Sequence, residues 1–180
     1  MTNDMQAVWL GDGKPGTVAD LRRSLGSFST GVTVITTITP DGRKVGLTAN
    51  SFSSVSMDPP LVLWSLSERS PNRSIFEQCS HFSINVLAFD QEDLCKRFAT
   101  PSVSDKFIGV ACQEGVGGVP LIDGAVAQFE CSAHKQYPGG DHLIFIGKVE
   151  AHRWSKRTPL LFCQGELMPA KIEEFRRAIA

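Results

Sequence analysis

From Gly46 to Leu66 the chain reads Gly-Leu-Thr-Ala-Asn-Ser-Phe-Ser-Ser-Val-Ser-Met-Asp-Pro-Pro-Leu-Val-Leu-Trp-Ser-Leu. Small hydroxyl residues alternate with apolar ones, and an extended backbone sends successive side chains to opposite faces. A strand built this way buries one face and leaves hydroxyls, one amide and backbone on the other. Pro59-Pro60 stops the run, and a second apolar run, Leu61 to Leu66, starts at once. The polar face suits a flat, polar-edged heterocycle held by hydrogen bonds.

The rest of the chain repeats this grammar. Val32 to Ile38 predicts a strand, Pro40-Asp41-Gly42 a turn, and Arg43 to Ser56 the returning arm of a hairpin. Further strands are expected at Leu61–Leu66, His81–Phe89, Ala125–Lys135 and His142–Trp154, with one more over Leu160–Gly165. Helices are expected over 18–28, where Val18, Leu21, Leu25 and Phe28 keep helical spacing, and over 171–178. Ser70 and Pro71 read as the cap and first position of a short helix, and Asp90 as the cap of another ending near Phe98. Residues 99–124 are loop-rich. Strands joined by hairpins, with only short helices between them, predict a mainly β protein built as an antiparallel barrel. His142 to Val149 is apolar on both faces, so that strand needs cover from the barrel interior and from a helix or partner subunit.

Composition excludes several functions. The 180 residues fit a single domain over 1–180, with a core at about 20–165 and an N-terminal extension over 1–17. A formal charge of −1 and the lack of a Lys/Arg block argue against nucleic acid as a partner. No cationic, apolar leader opens the chain, and no apolar run approaches the roughly 20 residues that span a bilayer. The chain reads as soluble and cytoplasmic, with no membrane partner. Cys79, Cys95, Cys112, Cys131 and Cys163 are odd in number and form no Cys-x-x-Cys pair, so free thiols in a reducing compartment explain them. The four histidines show no zinc-ligand spacing, and no metal site is expected.

Gly11-Asp12-Gly13-Lys14-Pro15-Gly16 is a literal G-x-G-x-x-G. Pro15 has no amide to donate and no parallel β-α-β series follows, so it reads as a turn, not a dinucleotide fold. Read from position alone, Thr48 to Ser56 is a half-exposed strand and Ser70 to Arg73 a capped helix. On the same footing Lys106 is a loop lysine, Phe107 a core aromatic, and His142 a strand-end histidine beside Asp141.

The run Thr48-Ala49-Asn50-Ser51-Phe52-Ser53-Ser54-Val55-Ser56 followed by Asp58-Pro59-Pro60-Leu61-Val62-Leu63 resembles the signature of the flavin reductase-like family. These are small NAD(P)H:flavin oxidoreductases that supply reduced flavin to two-component monooxygenases. Thr30-Gly31-Val32-Thr33-Val34, Asn85-Val86-Leu87 and Gly140-Asp141-His142 extend the match over about residues 20–165. The resemblance implies a split β-barrel of the FMN-binding type, binding FMN or FAD and using NADH or NADPH. It places the flavin ring along Thr48, Ala49, Asn50 and Ser51, with Thr30, Gly31, Val32, Thr33 and Val34 nearby. It implies a phosphate cradle from Ser65, Leu66, Ser67, Ser70, Asn72 and Arg73, although a Thr often stands in the family where this chain has Asn72. Lys106 and Phe107 fall near the flavin, and His142 becomes the catalytic residue on the nicotinamide side. A homodimer and a separate monooxygenase component are the implied partners. A flavin- or haem-binding protein on the same scaffold is the alternative. A pyridoxamine-phosphate oxidase fits less well, for want of a basic substrate-phosphate pocket.

Overall fold

A computed structural model describes residues 16–170. The glycine-rich turn over 11–16, apart from Gly16, and the helix expected over 171–178 lie outside the described residues. Twelve strands and three α-helices follow one another: α1 (Val18–Gly26), β1 (Thr30–Gly31), β2 (Thr33–Ile38), β3 (Lys44–Ala49), β4 (Ser53–Met57) and β5 (Pro60–Ser67). Then come α2 (Arg73–Gln78), β6 (His81–Val86), α3 (Glu92–Ala99), β7 (Cys112–Glu114) and β8 (Pro120–Ile122). The described chain closes with β9 (Ala127–Gly139), β10 (His142–Trp154), β11 (Leu160–Cys163) and β12 (Glu166–Pro169).

The main sheet is antiparallel, in the order β3-β2-β6-β9-β10-β5-β4. Its edge strands β3 and β4 are separated in the chain only by Asn50, Ser51 and Phe52. Four residue steps reach at most about 14 Å. Seven flat strands at about 4.8 Å spacing span roughly 29 Å. The sheet therefore curls until its edges meet, which makes it a split barrel.

This corrects the single returning arm expected over 43–56. Lys44–Ala49 pairs with β2, while Ser53–Met57 pairs with β5 through the hairpin at Met57↔Pro60. Period-2 alternation continues through both strands and so hides the corner between them. Other boundaries differ too: the strand from His81 ends at Val86, short of Phe89, and α1 ends at Gly26, short of Phe28. The α2 helix starts at Arg73, because Ser70 and Pro71 form a turn in which Arg73 N donates to Ser70 O at 3.1 Å. The cap before α3 is Gln91, following a 3-10 turn over Phe89–Gln91, and the Asp90 carboxylate accepts from Arg157 instead. β9 runs on to Gly139, leaving Gly140-Asp141 as the whole turn into β10.

Inside the barrel Trp64 stacks on Phe145 at 4.5 Å and meets Phe76 edge-on at 5.1 Å, all three fully buried or nearly so. Gly147 on β10 faces this cluster. A Cβ there would stand 2.5 Å from Phe82 Cζ and 2.9 Å from Cys131 Cβ. We expect Gly147→Ala to destabilise the protein by about 1–3 kcal/mol. Urea unfolding would measure this, and an unchanged midpoint would show that Phe82 has room to retreat.

A second cluster (Val32, Val34, Leu87, Phe98, Ile122 and Leu160) lies where α3 and β11 cover the sheet. Buried Asn85 stands beside it. Its Nδ2 donates to Val34 O and Ser83 Oγ, each at 3.1 Å, and its Oδ1 accepts from Ile122 N and Gln128 Nε2, each at 2.8 Å. Thr17 and Asp20 form a capping box on α1, but the apolar stripe behind it is bare: Val18, Leu21, Leu25 and Phe28 are 59–78% exposed.

Candidate active site

The split in the barrel opens beside the Asn50–Phe52 corner as a cleft of about 440 Å³. One wall is the end of β3 and the corner: Leu47, Thr48, Ala49, Asn50 and Ser51. The other is the end of β5 with the turn into α2: Ser65, Leu66, Ser67, Arg69, Ser70, Pro71 and Asn72. Phe98, Ala99, Pro101 and Lys106 close one side and His142 the other. Among the described residues the lining includes no aspartate or glutamate. Arg69, Lys106 and His142 face it, so the cleft suits an anion.

Hydrogen bonding separates structural hydroxyls from available ones. Thr48 Oγ1 donates to Cys95 O at 2.7 Å, tying β3 to α3. Ser51 Oγ accepts from Ser65 N at 2.9 Å and donates to Ser65 O at 3.2 Å, clamping the corner to β5 across the split. These two hydroxyls hold the cleft's shape. Ser67 Oγ and Ser70 Oγ only accept, from Arg69 N and Asn72 N at 3.3 Å each, so each keeps its own O–H to donate. Asn72 makes no side-chain cap to α2, which leaves its amide for the cleft.

Lys106 Nζ donates to Phe98 O, one residue before the end of α3, at 2.7 Å. Burial holds its ammonium below the ordinary lysine value. Across the cleft, His142 stands opposite Ser67 in the β10–β5 register. Its Nδ1 lies 2.8 Å from Asp141 Oδ1, so Nε2 is the nitrogen left for a ligand. That bond holds the Asp141 carboxyl below its usual value. Burial raises the Cys79, Cys95 and Cys112 thiols and pushes Cys131 up to about 12, which disfavours their thiolates.

Several residues named from the sequence do not line the cleft. Val32, Thr33 and Val34 are buried, Val32 and Val34 in the cluster under α3 and β11, and Thr30-Gly31 pairs with β11. Thr33 reaches the site indirectly, donating to Ala49 O at 2.6 Å and fastening the last residue before the corner. Phe107 packs edge-on against Phe98 at 5.0 Å, behind the lining. Arg73 turns away to Glu77 Oε1 at 2.9 Å and Glu68 Oε1 at 3.7 Å. Conversely Leu47, Arg69, Pro71, Phe98, Ala99 and Pro101 line the cleft without having been singled out. Arg69 lay in plain view inside the hydroxyl cluster; the α3 residues carried no local signal.

The fold and site define a split β-barrel with a polar cleft at its corner that suits an anion. The comparisons name the family. The sequence pattern described as "Flavin reductase like domain" matches residues 25–171, and the chain belongs to that family. It is 44% identical over 146 residues to an NADH-dependent FMN reductase of Agrobacterium fabrum, covering 80% of this chain and 81% of that protein. It is 47% identical over 133 residues to the reductase component of a flavin-dependent trigonelline monooxygenase of Acinetobacter baylyi. That match covers 74% of this chain but only 43% of the longer relative. Among solved structures, an NADH:FAD oxidoreductase of Streptomyces globisporus, in complex with NAD and FAD fragments, superposes with a TM-score of 0.83 at 40% identity. That superposition covers 89% of this chain and 96% of the other.

Proposed function

We propose that this protein is an NAD(P)H:flavin oxidoreductase that reduces FMN or FAD and supplies it to a separate flavin-dependent monooxygenase. One observation carries the reading: a cleft without carboxylates, at the corner of a split barrel, with free hydroxyl donors at one end and cations on two sides. This donor set fits a flavin, whose ring is polar at its edge and whose chain ends in phosphate. When bound, flavin and nicotinamide supply the hydride chemistry themselves, between nicotinamide C4 and flavin N5. The chain's part is to bind, orient and neutralise. Asn50 and the β3 edge face the ring, Ser67, Ser70 and Asn72 donate to the phosphate, and Lys106 offsets negative charge. His142 Nε2 serves the nicotinamide side. No acid–base pair is required for this chemistry, because the cofactors carry the hydride. Oxidation of NADH or NADPH in the presence of free FMN or FAD, followed at the nicotinamide absorbance, tests the activity. No turnover with any of the four combinations would end this reading.

His142→Ala is expected to lower kcat/KM for the nicotinamide about tenfold, the value of one hydrogen bond to a reacting partner. Affinity for oxidised flavin should be nearly unchanged. Wild-type kinetics with both NADH and NADPH would return His142 to a strand-end structural role.

The protein is proposed to act as a homodimer in a reducing, cytoplasmic compartment, as its unpaired thiols suggest. The bare stripe of α1 and the half-buried outer face of β10 at Ile144 and Ile146 lack full cover among the described residues. An isologous contact is the commonest solution. Sedimentation at micromolar concentration should show a dimer, and a stable monomer there would refute it. Among the described residues no helix is long and apolar enough to cross a membrane.

A further inference from the structure

The turn between β5 and α2 concentrates charge unevenly. Arg73 is shared by two carboxylates, Glu77 at 2.9 Å and Glu68 at 3.7 Å. Arg69, in the same turn, makes no ion pair among the described residues, is exposed, and stands on the cleft wall. The carboxylate whose charge it feels is Asp141, which already accepts from His142. Here is a cation with its charge unspent, at the rim of a cleft without acids.

Two hydroxyls in this turn, Ser67 and Ser70, keep protons to donate, and they flank Arg69 in sequence. Together with Asn72 they suit one phosphate. A cleft of about 440 Å³ sits in the lower part of the roughly 300–1,000 Å³ range of small-molecule sites. A three-ring system with one phosphorylated side chain occupies such a space. The second half of a dinucleotide must then pass over the rim, where Arg69 stands. A guanidinium matches a phosphate in geometry as well as charge.

Resting on the reading of the cleft as a flavin site, we infer that Arg69 binds a second phosphate, one that dinucleotides carry and FMN lacks. It selects for dinucleotide ligands, where Ser67, Ser70 and Asn72 serve any phosphorylated flavin. The second phosphate has two sources: the pyrophosphate of FAD, or that of the nicotinamide dinucleotide laid across the rim.

The test titrates wild type, Arg69→Ala and Arg69→Lys with FMN and with FAD by flavin fluorescence, and measures KM for NADH with FMN as acceptor. If FAD is the source, Arg69→Ala weakens FAD about tenfold more than FMN, and lysine restores part of the loss. If the nicotinamide is the source, KM for NADH rises about tenfold while FMN and FAD affinities shift little. Equal weakening of FMN and FAD, with KM for NADH unchanged, assigns Arg69 to the shared phosphate and overturns the inference. Unchanged values throughout overturn it too. A wild-type protein that binds neither flavin would fail at the cleft itself, separately from any role of Arg69.

Discussion

Asn85→Leu should remove about 2–5 kcal/mol of stability, because leucine fills the volume but strands two buried donors worth roughly 1–3 kcal/mol each. Ile122 N and Gln128 Nε2 both donate to Asn85 Oδ1 at 2.8 Å, and Asn85 is fully buried. Gln128 Nε2 keeps Ile122 O at 2.8 Å, so its loss is partial. The network also reaches Thr36 and Ser83, which share the Pro120 carbonyl. It therefore joins β2, β6, β8 and β9. Against a typical total of about 5–15 kcal/mol, such a loss is large. Denaturant unfolding would read it as a fall in midpoint, and a loss below about 1 kcal/mol would mean that water replaces the amide. Flavin affinity of the folded fraction should survive, since Asn85 does not line the cleft.

Lys106→Met should weaken flavin binding about tenfold or more, since it removes a partly buried cation from an anion's site while keeping the stem. The pH dependence is the sharper test. Burial lowers the ammonium's pKa, so the neutral amine forms at lower pH than in an ordinary lysine. An arriving anion raises that pKa again, and the ligand therefore binds the protonated form more tightly. Wild-type affinity should fall as pH rises through the lowered lysine pKa. The Met variant reports any titration of the ligand alone and should lack this component. Parallel pH profiles would show that Lys106 only caps the end of α3 through Phe98 O.

Different parts of this molecule were legible to different degrees. The hairpin of β2 and β3 was readable from β-branched runs around Pro40-Asp41-Gly42, because a turn is local chemistry; Gly42 adopts the positive φ of +85° that the turn requires. His142 to Trp154 was readable because one long apolar run meets the Gly140-Asp141 turn. The corner at Asn50–Phe52 was not. Alternation looks the same whether a strand continues or changes sheet edge, and only closure of the barrel distinguishes them. Arg73 and Arg69 exchanged places for a similar reason. Both sit in one polar cluster, and what separates them is Glu77 at i+4 from Arg73 together with Glu68 brought back by the turn.

By itself the sequence determined a mainly antiparallel β chain, its signature run at Thr48–Leu63, and the hydroxyl-rich turn after β5, since each depends on near neighbours and backbone period. Tertiary structure decided which hydroxyls are spent and which remain. Thr48 and Ser51 line the cleft, and their hydroxyl protons go to Cys95 O and Ser65 O, which holds α3 and β5 in place. It also brought Phe98 and Lys106 to face Ser67 and His142, four residues from three distant segments. The physical reason is that side-chain availability depends on what the closed barrel puts within about 3 Å, a distance that periodicity along the chain does not encode.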